Sequence, residues 1–547
     1  MLRQGREAIR REVRGVEERV RGTKAMTSDR KITSDVAVRK NQYYDSVFLM
    51  SVASRMQVTP GVTDAAALMG TANNKQMLVE MGFDPGQVGE ATPQDLVVAL
   101  RGKKDAVRVI LADLDSWLER KEGALFAASA SSWDEARRRQ PGSNIAVISV
   151  PGRYAARETH AALDASMNVF LFSDHVSVED ELAMKKKASQ AGLIVMGPDC
   201  GTAIVAGVGI GFANAVRRGP VGVVASSGTG LQEFTTLIHR AGSGISHALG
   251  TGGRDLSDAI GGLSTQAALR ALERDQGTQA IAVLSKPPGT RTLEALADAL
   301  ADCRKPVVVC LLGLTEAELP RGGFKVARTL DEAASLALQL TGGPLPAPVL
   351  PPAAISEVLS REVALVNEGQ KYIRGLFAGG SLCYEAQQIL RDLALTVHSN
   401  APLPGMPRLA DARASFEHTL VDMGAAEFTE GRPHPMIDAS QRSARIRAEG
   451  RDPQVAVLLL DVILGYGVPE DPAGDLVAAI RSARGEAERR GGHLAVVASV
   501  CGTDGDPQGL EKQEGTLRDA GVILFPSNAQ ATLAARDLIS RIDARRS

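Results

Sequence analysis

Two short runs rich in glycine and serine hold the residue types best suited to chemistry. The first, ASSGTGLQEF, contains Ser226, Ser227, Gly228, Thr229 and Gly230, and the second, AGGSLCYEAQQIL, contains Gly379, Gly380 and Ser381. Each follows an apolar tetrad, GVVA or GLFA, and the first precedes Leu231, Phe234 and Ile238 at helical spacing. A strand ends, small residues turn the chain, and a helix begins. The first N–H groups of such a helix have no intrahelical partner and carry the positive end of its dipole, so they attract an anion such as phosphate. Taken singly, a turn of this kind is ordinarily a cap. Two of them at equivalent positions of a duplicated sheet, with their helix N-termini facing across a pseudo-twofold axis, favour a phosphate site.

The elements around the two turns form a diverged internal repeat. The first copy runs GVVASSGTGLQEF, HALGTGGRD, AIAVLSKPPG, PVVVCLLG and FKVARTLDEAASLAL; the second runs GLFAGGSLCYEAQ, RPHPMIDAS, VAVLLLDVILGYG, HLAVVASVCGTD and GVILFPSNAQATLAA. Each reads as strand, glycine-rich turn, helix, then further strands with crossovers, which predicts a flavodoxin-like doubly wound sheet. Upstream, the strands AVISV, VFLFS and GLIVMG predict a half-Rossmann unit, with turns at Pro151 and Gly197 where open parallel sheets place ligands or simply pack. Before that, YYDSVFLMSVASRM, VTDAAALMG, QDLVVALRG and VRVILADLDSWLE predict a small α/β plait.

The fold class is therefore α/β. The expected boundaries are a tail at 1–41, the plait at 42–121, a polar linker at 122–143, the Rossmann-like domain at 144–217, a flavodoxin-like domain at 218–341, a proline-rich linker at 342–369 and a second flavodoxin-like domain at 370–541. Within the tail, residues 1–25 alternate charge and lack a signal-peptide core, with Met26 as an alternative start.

At 547 residues the chain is long enough for three or four domains. Its apolar fraction of 44%, charged fraction of 23% and formal charge of −2 describe an ordinary folded α/β chain and give no basic stripe for nucleic acid. The most apolar stretch, VAVLLLDVILGYG, is interrupted by Asp461 and too short to span a bilayer. Five dispersed cysteines without CxxC pairs fit a reducing compartment, so the expected location is cytoplasmic. Eight scattered histidines show no metal-ligand spacing, and no metal site is expected.

The segment from Val147 to Gly313 resembles the α-subunit of succinyl-CoA synthetase through GPDCGTAI, VGVVASSGTG and ALGTGGRD. The segment from Ile373 to Leu538 resembles the carboxy-terminal domain of its β-subunit through GLFAGGSLC, HPMID and AVLLLDVILGYG. The order of segments, with the plait in front, is most similar to the FdrA family, a fused branch of that superfamily. In the synthetases the two helices flank a phosphorylated histidine. Here the corresponding loop, LTEAELPRGGFKVART, has no histidine, and Lys286 stands where the family has a supporting glutamate. An ammonium suits a free anion between the helices. The chain also lacks a Walker motif and an ATP-grasp domain, so CoA and nucleotide, which the superfamily implies, are not required.

The resemblance implies a subunit of a heteromeric, oligomeric carbamoyltransferase of purine (allantoin) catabolism. Oxalurate and phosphate would exchange with oxamate and carbamoyl phosphate, with no cofactor. Lys286 and the helix N-termini would stabilise developing charge. Acid–CoA ligation and a non-catalytic sensing or scaffold role are the alternatives.

Around this site His247, before the GTGG turn, and His434, in RPHPMID, are candidates to protonate a leaving nitrogen, or structural histidines. Arg254 and Asp255 follow the GG turn, and Arg254 suits an oxamate carboxylate or a surface ion pair. Asp438 is a substrate contact or a helix cap. Cys383 lies where a helix dipole would favour a thiolate, with packing as the alternative. Glu233 either reaches the site or forms a helix-face ion pair.

Overall fold

The structure, a computed structural model, describes residues 32–42, 44, 46–57, 59–118, 130, 132–314, 317–318, 322–344, 352–430 and 432–546. Residues 1–31 of the expected tail, Met26 included, and 122–129 of the first linker lie outside these residues. The chain divides into two compact units, residues 1–129 and 130–547. Among the described residues no helix is long and apolar enough to cross a membrane.

In the first unit the strand Leu96–Lys103 lies between Ile32–Arg39 and Val62–Met69, antiparallel to both. Its LVVAL run is buried on both faces because side chains alternate. Leu96, Val98 and Leu100 meet Leu49, Val52 and Ile110 from helices on one side, while Val97 and Ala99 meet Leu78 and Phe83 on the other. The strand Ile32–Arg39 corrects the expected tail at 1–41. At a sheet edge the side chains of its ITSDVAVR sequence are half-buried or exposed, so its apolar signal is weak.

The second unit contains three sheets among its described residues. The strands Ile145–Ile148, Asn168–Leu171 and Val195–Met196 pair in parallel, as a half-Rossmann unit does. The expected domain end at 217 is wrong, because the hairpin of Thr202–Val205 and Val208–Gly211 leaves this sheet. It adds antiparallel to Ile245–Gly250 at the edge of the next sheet. There the parallel strands run in the order Lys325–Ala327, Val307–Leu311, Ala280–Ser285, Arg218–Ser226 and Ile245–Gly250. In the third sheet the order is Ile523–Phe525, Ala495–Cys501, Val455–Ile463, Tyr372–Phe377 and Thr419–Asp422, with His398–Ser399 outermost. Both follow the flavodoxin-like order, and in each the first strand of the copy is central. The second copy takes its second strand from TLVD, and RPHPMID is a loop that precedes the helix Ser440–Arg451.

Two further corrections concern the linkers. Trp133–Arg139 is a short helix, capped when Ser132 accepts the Glu135 N–H. Within 342–369, where residues 345–351 lie outside the described set, Pro352–Leu365 is a helix. Proline is tolerated in a first turn, and Leu359 and Val363 reach the large core.

That core joins the two flavodoxin-like sheets. Leu231, Phe234 and Ile238 of the helix Gly228–Arg240 share it with Leu382, Ala386 and Leu390 of the helix Gly380–Asp392. The joint also contains a reciprocal carboxylate exchange. Glu233 and Glu385, each the sixth residue of its helix, are both buried. Glu233 accepts the Asn528 N–H at 3.0 Å, at the start of the last helix of the second copy. Glu385 accepts the Leu330 N–H at 2.7 Å, at the start of the last helix of the first copy. Each cradle helix thus fastens the other copy's closing helix at its positive end. Glu233 is neither a site residue nor a surface ion pair.

Burial pushes the Glu385 carboxyl from 4.5 up to about 8, with Asp331 adding repulsion. Between those values the folded protein holds a proton that the unfolded chain has released. Stability therefore declines as pH rises through that window, and the loss is complete above it. Glu385→Gln retains an oxygen for the Leu330 N–H and removes the titration. Thermal melts should show wild-type stability falling more steeply than that of the variant between about pH 5 and pH 8, by at most about 1 kcal/mol per pH unit. Parallel curves would mean that Glu385 does not carry this proton.

Candidate functional site

The two helix N-termini meet as the duplication requires. Ser227, extended at the N-cap, accepts the Gly230 N–H at 3.0 Å, and its hydroxyl lies 2.5 Å from that of Ser381. The Ser381 N–H in turn reaches the Thr229 hydroxyl at 3.4 Å. These contacts bring Ser227, Thr229, Gly230 and Ser381 into one cradle. The N–H groups of Gly228, Thr229 and Gly380 have no partner among the described residues.

Two of the expected phosphate contacts are corrected. Gly379 has no side chain with which to cap its helix, and its N–H and that of Ala378 go to Asp461 at 2.7 and 2.9 Å. Asp461 is itself paired with buried Arg442 at 2.6 Å. The second helix is therefore capped from the adjacent strand. The Ser226 hydroxyl, 2.7 Å from that of Thr251, is buried and ties the cradle to the GTGG turn.

Lys286 leaves the C-terminal end of Ala280–Ser285 and places its ammonium 4.5 Å from the centroid of the Tyr384 ring. A Cβ on Gly380 would lie 3.2 Å from Lys286 Nζ and 2.5 Å from Asp422 Oδ2, so the glycine admits both groups to the start of the second helix. Among the described residues no carboxylate is within ion-pair distance of Lys286. Burial raises the Asp422 carboxyl, against the pull of Lys286. Its Oδ1 accepts the Gly424 N–H at 2.9 Å.

His434 packs against Gly424, beside Asp422. Burial holds its imidazole down at about 4, so it is neutral at neutral pH. Because its Nδ1 accepts the Met436 N–H at 3.2 Å, Nε2 carries the proton. It can give a hydrogen bond there, but it does not act as the cationic acid expected from the sequence. His247 does not reach the cradle. It lies opposite Gly222, well before the end of the strand Arg218–Ser226, and its ring accepts the Ala206 N–H at 3.2 Å and approaches Asp275.

The neighbours in the GGRD turn diverge. Arg254 pairs with Glu181 at 2.8 Å. Asp255 is fully buried, meets Lys185 at 2.8 Å and accepts the Thr265 N–H, and is saturated by the fold. It is not a substrate contact. Asp438 accepts the Ser440 N–H at 2.8 Å and serves as a cap. Burial drives the Cys383 thiol well above its usual range, which removes a thiolate role. Asp422, Tyr384 and Arg442 were missed from the sequence; the signal available was Asp461, a charge within an otherwise apolar strand.

Comparison with known proteins places these features in context. Residues 376–538 match the CoA-ligase family, and residues 32–132 match the family described as AllF, heavy metal-associated domain. The latter stretch contains neither cysteine nor histidine and so does not fit a soft-metal site. The described residues contain no cluster suited to a metal ion. Escherichia coli K12 YahF is 42% identical over 511 residues, covering 92% of this chain and 98% of that protein. Subunit alpha 2 of the ADP-forming succinate–CoA ligase of Archaeoglobus fulgidus is 34% identical over 181 residues, or 32% of this chain and 61% of that protein. The solved dinucleotide-forming acetyl-coenzyme A synthetase 1 of Candidatus Korarchaeum cryptofilum aligns over 73% of this chain and 84% of its own, at 16% identity and a TM-score of 0.31.

The close packing at Gly380 gives a direct test of the cradle. Gly380→Ala should leave the circular dichroism spectrum unchanged while displacing Lys286 and Asp422, and should weaken inorganic phosphate binding about tenfold by calorimetry. Unchanged affinity in a folded variant would remove this end of the second helix from the anion site.

Proposed function

Because the chain belongs to the FdrA family, a branch of the succinyl-CoA synthetase superfamily related to acyl-CoA synthetases, we propose that it is a subunit of a carbamoyltransferase complex. The complex exchanges a carbamoyl group between an oxalurate-like ureido acid and phosphate, giving oxamate and carbamoyl phosphate. The observation that carries this reading is the Lys286 ammonium beside Gly380, in a chain whose sequence LTEAELPRGGFKVART has no histidine to carry phosphate covalently.

Phosphate sits on the N–H groups of Gly228, Thr229 and Gly380, within reach of the hydroxyls of Ser227, Thr229 and Ser381 and of Lys286. Fixed donors at a water-restricted site both orient the nucleophile and stabilise charge that develops as it attacks the carbamoyl carbon. The neutral His434, with its proton on Nε2, is placed to hydrogen-bond the carbonyl oxygen or the departing amide. No nucleotide or CoA enters this reaction, and the remaining machinery belongs to partner subunits.

The test is carbamoyl phosphate formation from oxalurate and phosphate by the complex reconstituted from its native subunits. Lys286→Glu places a negative charge at Gly380 and should lower kcat/KM for phosphate by about 100-fold or more. Normal turnover by that variant would deny Lys286 its electrostatic role. Acyl-CoA formation from acid, CoA and ATP by the same assembly, without carbamoyl phosphate, would replace the carbamoyl reading with acid–CoA ligation.

A further inference from the structure

The loops after Ile145–Ile148, Asn168–Leu171 and Val195–Met196 converge on one edge of the half-Rossmann sheet. The Asp199 N–H is donated to Ser173 O at 2.9 Å, and the Ser173 hydroxyl accepts the Val150 N–H at 3.0 Å. These contacts lock the three loops together. Two non-glycine residues in this edge, His175 and Asp199, have left-handed backbones, with φ of 52° and 55°. Such conformations are uncommon outside glycine and concentrate where a fold holds functional groups in place.

The edge adjoins the anion cradle. Pro198 O packs so closely on Gly252 that a Cβ there would lie 2.5 Å away. The neighbouring Thr251 hydroxyl is 2.7 Å from that of Ser226, at the first helix. Asp199 is exposed to water at this junction, and its carboxylate has no hydrogen-bond partner among the described residues. The charged groups that act on it are Asp174 and His175 from its own edge, Arg254 from the GGRD turn and Lys286 from the cradle; Glu430 acts on His175. Arg254 is already paired with Glu181, and His175 lies 3.0 Å from Asp174. Lys286 is the cation in this set without an ion pair among the described residues; it is near enough to act on the Asp199 charge, and its ammonium lies beside Gly380 at the second helix.

We propose that Asp199 is the acid–base group of the cleft, giving its proton to the nitrogen that departs when phosphate attacks the carbamoyl carbon. The inference rests on the carbamoyl reading above. The new bond joins a phosphate oxygen to carbon, and the carbon–nitrogen bond breaks. Its electron pair stays on nitrogen, which takes the Asp199 proton and leaves as the oxamate amide. The phosphate O–H then returns a proton to Asp199, so the group is regenerated in each turnover. Crowding by the surrounding protein, followed by repulsion from Asp174, lifts the carboxyl from 3.8 to about 6, against the pull of Arg254, Lys286 and His175. A bound phosphate raises it further, because a second negative charge disfavours ionisation. The acid form is thereby available near neutral pH, where a general acid is most effective.

Asp199→Asn keeps the shape and the tolerance of a left-handed backbone and removes the titrating proton. Inorganic phosphate is titrated into the full-length protein at about pH 7 in two buffers of different ionisation enthalpy. The wild type should take up a fraction of a proton beyond that taken up by Asp199→Asn, while the variant binds phosphate at least as tightly. In the reconstituted complex the variant should lose about 100-fold in kcat with KM for phosphate unchanged, and should lose the decline in rate as pH rises above about 6. Phosphate binding to both proteins with identical proton uptake, or a variant that keeps the wild-type pH profile, overturns the role of Asp199 alone. Phosphate that binds neither protein overturns the cradle and this proposal with it. Proton uptake confined to the wild type without carbamoyl phosphate formation by the complex supports Asp199 as the proton carrier and overturns the carbamoyl chemistry.

Discussion

Two helix N-termini of like polarity are held together at the centre of the larger unit, and the rest of its structure answers that constraint. Each end carries roughly half a positive charge, and the hydroxyls of Ser227 and Ser381 at those ends touch. Bringing such ends together inside protein is unfavourable unless negative charge or acceptors are supplied. The fold supplies Asp461 at the second helix and Asp422 beside Gly380. Arg442 balances Asp461, whereas the Lys286 ammonium is not neutralised by a neighbouring carboxylate. The phosphate of the proposed reaction would complete the charge pattern at this junction.

The same arrangement explains why the two copies are inseparable in packing. A carboxyl group from each cradle helix holds the closing helix of the other copy, and one apolar core runs through both sheets. The cradle cannot open without exposing that core and freeing two buried carboxyl groups. Fixed donors of this kind are what an anion site needs, since they pay no reorganisation cost when charge develops.

The sequence made the parallel strands and both glycine turns legible, because a strand buried on both faces is nearly all apolar and a turn against a helix start needs small residues. The hairpin Thr202–Gly211 was not legible: its residues follow a Rossmann strand directly, and only three-dimensional pairing assigns them to the next sheet. Strand spacing likewise does not say which end of a strand a side chain occupies, which is why His247 was drawn to the cradle and the structure puts it opposite Gly222. Arg254 and Asp255 show the same limit at one-residue scale. Adjacent in the turn, they go to a partly open ion pair and to a saturated buried one. Asp461 was visible as an anomaly within VAVLLLDVI, but its purpose depends on Gly379 in a strand neighbour.

That dependence shows how the duplicated halves came to differ in chemistry. In the first copy the N-cap is Ser227, whose own hydroxyl satisfies Gly230. In the second it is Gly379, which has no side chain, and Asp461 from the third strand of that copy reaches over to bind Ala378 and Gly379. The third strand of the first copy has no carboxylate to make this reach; it ends instead at Lys286, whose ammonium crosses to the second helix. One third strand therefore contributes an anion that fills its own helix end, and the other contributes a cation to the opposite end. The cradle keeps pseudo-twofold geometry but not pseudo-twofold charge. An anion between the helices is drawn toward the free N–H groups of Gly228 and Thr229 and toward Lys286, and away from Asp461. In the proposed reaction this polarity would draw phosphate toward Lys286, the same cation that acts on the Asp199 charge.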